Sequence, residues 1–209
     1  MHMKWWEVFL ELYTITITRQ FGSMGQAIAR QMAQMLGIEY YDREILEKVS
    51  EQTGLMMSTI KDEEERAQNR FGFMRFPLGR QTTDMQDKIF KVQEQIILEL
   101  AEQQSCIIVG RCADYILRDF PNAVNIYIYA PEEDRLHNCI ERFDMSEREA
   151  KSMIQDVDEA RIAYHMRYAG YMPDDVKHKD ILINSSFLGV EGTAQYLCEC
   201  VKERFHINE

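Results

Sequence analysis

Between a β-branched run, Tyr13 to Thr18, and an amphipathic stretch, QAIARQMAQMLG, lies the segment Arg19-Gln20-Phe21-Gly22-Ser23-Met24-Gly25. Two glycines in a strand-to-helix turn can turn several backbone N–H groups toward an anion, so phosphate binding is the chemistry this spacing offers. A tight connection is the competing reading. The full pattern GxxxxGK[ST] is absent: Gln26 and Ala27 follow the second glycine, where the phosphate-binding ammonium and the magnesium-binding hydroxyl are needed. Arg19 is the nearest cation that could substitute.

Gly110-Arg111 follows the apolar run CIIV, where an arginine fork would project over a sheet edge toward an anion. A solvated surface charge is the alternative. Asp42-Arg43 follows the short extended piece IEYY; Asp42 caps a helix in the simpler reading, and Arg43 could meet a second phosphate. The third feature is an arginine array, Arg135, Arg142, Arg148, Arg161 and Arg167, in a charged helical region. Such faces are often merely solvated and paired with neighbouring glutamates. Phosphoryl transfer also needs cations around the migrating group. Asp158 and Arg161, spaced D-x-x-R, fit either a helix pair or a lid pair. The histidines show no ligand spacing for zinc, and no nucleophile motif supports a hydrolase.

These residues must be positioned by alternating strands and helices. Extended runs at YTITIT, IEYY, SCIIVG, AVNIYIYA and DILINSS alternate with helical periodicity, including a helix capped by Asp84 with Ile89, Val92, Ile96, Ile97 and Leu100 on one face. The alternation predicts an α/β fold with a parallel sheet, whose ligands sit at the carboxyl ends of the strands. From Lys61 to about Thr83 no period is sustained, so this stretch reads as an excursion from the core. The length of 209 residues predicts one domain spanning 1–209 with that insertion. With 24 Lys and Arg against 35 Asp and Glu, the net charge of −11 repels polyanions and argues against nucleic acid as a partner. Five cysteines without a CxxC pair predict reduced thiols and a cytoplasmic setting. No apolar run reaches the length of a bilayer span, so no membrane partner is expected.

Four blocks in order, ITITRQFGSMGQAIARQMAQMLGIEYYDREIL, IIVGRCADYIL, DEARIAYHMRYAGY and DILINSSFLGVEG, resemble the cytidylate kinase-like family of P-loop proteins over about Thr14 to Leu197. The resemblance implies a three-layer P-loop fold of nucleoside monophosphate kinase type. It implies a monophosphate-binding insertion at about 53–83 and an arginine lid at about 139–172. It also implies ATP with Mg²⁺, small nucleotide substrates, and a homodimer as the assembly to test. By matching position, Gly22, Ser23, Met24, Gly25 and Gln26 would hold the donor phosphates, with Asn184 and Ser185 near the donor base. Asp42, Arg43, Arg111 and Asp158 would face the acceptor, and Arg19, Arg135, Arg142, Arg161 and Arg167 would supply catalytic charge. Met24 departs from the family's glycine at that place. The activity implied is phosphoryl transfer from ATP to a nucleoside monophosphate. The alternatives are a nucleotide-binding regulatory protein with little turnover, and a kinase of a non-nucleotide acceptor.

Overall fold

The structure, a computed structural model, describes residues 12–56 and 80–207, with side chains of the second stretch from 85 onward. Most of the expected insertion at 53–83 lies outside the described residues. The apolar runs form five short strands, β1 (Thr14–Arg19), β2 (Glu39–Tyr41), β3 (Cys106–Val109), β4 (Ala123–Tyr129) and β5 (Ile181–Asn184), all parallel in the order β2-β3-β1-β4-β5. The helices are α1 (Gly25–Leu36), α2 (Arg43–Thr53), α3 (Arg80–Gln103), a single turn α4 (Ala113–Ile116), α5 (Glu132–Phe143), α6 (Glu147–Tyr168) and α7 (Ser185–Phe205).

The two-residue alternation of the strands divides their side chains between the two faces of the sheet, and β3 feeds an apolar core on each. Ile15, Ile17, Ile107, Val109, Val124, Ile126 and Ile128 face α1 and α7, where Ile28, Met32, Leu197 and Val201 meet them. Cys106 and Ile108 point the other way, onto Ile45, Leu46 and Val49 of α2 and Ile96 and Ile97 of α3. This is a three-layer α/β arrangement.

Three local details differ from the periodicity. Helix α3 begins at Arg80, so Asp84 lies inside it rather than capping it. The charged region after β4 is two helices, because Asp144 adopts a left-handed backbone (φ 54°) and Ser146 restarts the chain with a reciprocal capping box to Glu149. Helix α7 starts at Ser185, directly after β5, and kinks at Gly189 (φ 68°).

Candidate active site

The sheet order brings the chemistry together. Strand β1 lies between β3 and β4, and Gly110 N–H donates to the Ile17 carbonyl at 2.9 Å, so the carboxyl ends of β1 and β3 lie side by side. Arg19 and Arg111, far apart in sequence, therefore line one cavity of about 290 Å³. Helix α6 closes it from above with Asp158, Arg161 and Tyr164, while Thr18, Tyr127, Cys112 and His165 form other walls. Arg161 Nη1 donates to the Arg19 carbonyl at 3.0 Å. One turn earlier, Asp158 accepts the Phe21 N–H at 2.7 Å and Arg135 Nη1 at 2.5 Å. The glycine loop, α5 and α6 thus meet on one carboxylate.

Three guanidiniums sharing a desolvated space repel one another. Burial pulls Arg161 down to about 9, with Arg19 and Arg111 adding to the effect and Asp158 and Asp42 opposing it. Arg19 is lowered by burial and by Arg111. An arginine does not surrender its proton at neutral pH, so the relief available is an anion in the cavity. Asp42 Oδ1 sits 3.7 Å from Arg19 Nη2. Its other oxygen accepts Gln26 Nε2 at 2.7 Å and the Tyr40 hydroxyl at 3.2 Å. The expected helix cap is therefore corrected: Asp42 stands at the N-cap of α2 but makes no side-chain cap bond, and its carboxylate is taken by Gln26, Tyr40 and Arg19.

The turn carrying Arg111 is strained. Gly110, Arg111 and Cys112 have φ of 78°, 59° and 52°, and each non-glycine residue there costs about 1–2 kcal/mol. The loop after β1 is held by side chains. Ser23 is fully buried, with its hydroxyl on the Gln20 carbonyl at 2.8 Å, and Ser185 Oγ donates to the Ser23 carbonyl at 2.7 Å. Asn138 Nδ2 donates to the Gly22 carbonyl at 2.9 Å. Gly22 has φ +75°, and a Cβ there would lie 2.8 Å from the Arg135 carbonyl oxygen. Gly22→Ala is accordingly expected to cost about 2–4 kcal/mol, through backbone strain and displacement of α5, read as a drop in thermal midpoint.

The model of the cytidylate kinase-like family matches residues 14–187. The chain belongs to this family. Among solved structures, an uncharacterized protein from Eubacterium ventriosum is similar over 94% of this chain and 99% of its own, with a TM-score of 0.65 and 24% identity. A shikimate kinase from Bacteroides thetaiotaomicron covers 91% and 98%, with a TM-score of 0.53 and 11% identity. A gluconokinase from Sinorhizobium meliloti covers 95% and 99%, with a TM-score of 0.53 and 11% identity. At these identities the likeness is one of fold, that of P-loop kinases. No curated protein matches the sequence.

In this family member the remaining arginines go to different places. Arg135 is 8% exposed and braces the loop, with Nη1 also 3.3 Å from the Phe21 carbonyl, so it is a strut between α5, α6 and the loop rather than a lid charge. Arg142 lines a second cavity of about 250 Å³ between α5 and the start of α7, together with Met24, His137, Asn138 and Ser186. Arg167 lies outside both cavities, because Asp87 on α3 takes its Nη2 at 2.8 Å. Arg43 pairs with Glu47 at 3.5 Å on an exposed helix face, also outside them. Asn184 caps α7 by accepting Ser186 N–H at 3.0 Å, and Ser185 is the strut described above.

Sequence reasoning missed a buried hub under the cavity. Asp114 on α4, 1% exposed, pairs with Lys179 ahead of β5, whose side chain is fully buried. It also faces His165 Nε2 at 3.0 Å and accepts the Tyr171 hydroxyl at 3.2 Å. Burial would push the Asp114 carboxyl up, but the His165 hydrogen bond and the Lys179 charge outweigh it and hold it at about 2. Lys179 Nζ is also 3.5 Å from Thr18 Oγ1 in the cavity wall. Among the described residues no group of three or more His, Cys, Asp or Glu could hold a metal, and no helix is long and apolar enough to cross a membrane.

Proposed function

We propose that the chain transfers the terminal phosphoryl group of ATP directly to a nucleoside monophosphate bound in the cavity of Arg19, Arg111 and Arg161. The observation that carries this reading is the convergence of three guanidiniums from three elements on one cavity beside a glycine loop, at the carboxyl edge of a parallel sheet. Such a cluster matches the charge of a migrating phosphoryl group and its acceptor phosphate. The second cavity, with Arg142, Ser186 and Met24 on its walls, lies on the other side of the loop and suits the donor's nucleoside end.

Magnesium fits this arrangement without a dedicated cage, because it is held largely by substrate phosphates and water with one or two carboxylates. Asp174 lines the cavity and is the carboxylate that would meet it, both oxygens of Asp158 being engaged by Phe21 and Arg135. Bound magnesium would neutralise polyphosphate charge. The chain's own residues orient the partners: Arg111 and Arg161 hold the acceptor phosphate, Arg19 stands between acceptor and loop, and Asp158 fixes the loop through Phe21. Direct in-line transfer needs no covalent intermediate, so positioning and cationic stabilisation carry the rate. Residues 139–172, which include α6, would close over both substrates and exclude water. The monophosphate-binding role of 53–83 belongs to the same reading.

The test is product formation by the purified protein with Mg²⁺-ATP against CMP, dCMP, UMP, AMP, GMP, shikimate, gluconate and no acceptor. Acceptor-dependent nucleoside diphosphate is the expected result. Transfer only to a non-phosphorylated acceptor would replace the nucleotide with another substrate class, and ATP binding without any product would leave a nucleotide-binding protein.

A further inference from the structure

We propose that Arg19 performs the polyphosphate-binding duty of the absent loop lysine, and that its stem occupies the space a lysine side chain would need. The inference rests on the phosphoryl-transfer reading above and concerns how this loop supplies its cation.

Backbone conformation sets the register. In GxxxxGK[ST] the lysine opens the helix after the second glycine. Helix α1 opens at Gly25, and the residue before it, Met24, has φ 60°, the left-handed backbone that glycine adopts without strain. Placing the second glycine of the pattern on Met24 puts its lysine on Gly25 and its first glycine on Arg19. This register is shifted by one from the match of glycine to glycine, which sets Gln26 at the lysine position. Gln26 itself is turned aside onto Asp42.

In that register a cation has moved from the helix start to the end of β1, and the two positions exclude each other. A Cβ built on Gly25 would lie 2.8 Å from Arg19 Cβ and 3.1 Å from its Cγ. The obstruction is the root of the arginine, fixed by the strand, and not a tip that could swing away. Further along, Arg19 Nη1 crosses Gly110, where a Cβ would collide with it. Two bare Cα atoms from separate motifs thus form the seat of one side chain. That seat delivers the guanidinium to the seam between the loop and the cavity, where Asp42 is its ion-pair partner and Arg111 and Arg161 are its neighbours.

The experiment is a double-mutant cycle on the full chain with two readouts: thermal unfolding without ligand, and calorimetric titration with tripolyphosphate. Arg19→Gly is expected to weaken tripolyphosphate binding by about 10- to 100-fold, the range for one charge-assisted contact. Gly25→Lys alone is expected to lower the melting temperature by about 4 °C or more, and Arg19→Gly/Gly25→Lys to recover most of that loss and bind tripolyphosphate within about tenfold of wild type. Arg19→Met keeps the stem without the charge. It should lose affinity as Arg19→Gly does, yet still clash with Lys at 25. The proposal is overturned if wild type does not bind tripolyphosphate, or if Arg19→Gly binds it like wild type. It is equally overturned if Gly25→Lys costs the same with and without Arg19, or if the double variant binds no better than Arg19→Gly. Failure of the kinase reading shows separately, as tripolyphosphate binding through Arg19 with no acceptor-dependent product.

Discussion

Arg111→Ala is expected to lower kcat/KM for the phosphorylated acceptor by about 10³-fold, with a fold as stable as wild type or slightly more so. The activity loss follows from geometry. Arg111 is delivered by a buried strand to the cavity wall, close enough to Arg19 and Arg161 to depress both. An anion bound among the three gains charge-assisted contacts with guanidiniums that are already mostly buried. The unchanged or raised stability follows from the backbone. Arg111 sits at φ 59°, a conformation that costs any non-glycine residue, and its charge repels its neighbours. Alanine keeps the first penalty and removes the second. A thermal melt beside steady-state kinetics checks both halves. A large drop in melting temperature would show that Arg111 is there for packing, and unchanged kinetics would remove it from the site.

The second large effect is on stability. Asp114→Ala leaves Lys179, fully buried, without its carboxylate, and breaking a buried pair from one side costs about 3–5 kcal/mol. That is a large share of the ~5–15 kcal/mol that holds a typical domain together. Asp114→Leu with Lys179→Met removes both charges and should recover much of the loss, because the penalty lies in the uncompensated ion. The same carboxylate sets an acid limb. Its folded value of about 2 is below the unfolded value near 3.9, so its contribution is fully present above about pH 4 and is lost as pH falls toward 2. The Asp114→Ala variant should show a flatter stability profile across that window. An unaltered slope in urea titrations at pH 2, 3 and 4 would contradict the assignment.

The alternation of apolar runs was legible because the central strands β1 and β3 are buried on both faces while the helices are buried on one, and those two patterns differ in period. The positions of Arg19 and Arg111 were legible for a related reason: a residue that ends a buried parallel strand must emerge at the ligand edge. Asp158 and Arg161 could be paired by helical spacing, and both do line the cavity. What stayed hidden depends on contacts between distant segments. Nothing in the local sequence around Lys179 shows that its partner is Asp114, in a one-turn helix 65 residues earlier. Lys179 stands among Asp174, Asp175, Lys177, His178 and Asp180, where a charged side chain reads as an exposed one. Arg167 and Arg43 look like Arg161 in sequence, and Asp87 and Glu47 decide where they go. The one-residue shift of the loop register was likewise invisible, because it is set by the backbone of Met24 and not by the spacing of glycines.

Asp158 receives the loop through Phe21 N–H, while Arg161, one turn further along the same helix, lines the cavity. A helix shared in this way ties the free energies of the two sites. Any adjustment of α6 that improves the fit of an anion on one side shifts the position of the loop on the other. The coupling is reciprocal by thermodynamic necessity: whatever factor a ligand at the loop adds to affinity in the cavity, a ligand in the cavity returns to the loop. On the proposed reading, closure around a pair of ligands would run through this one carboxylate and the helix that carries it.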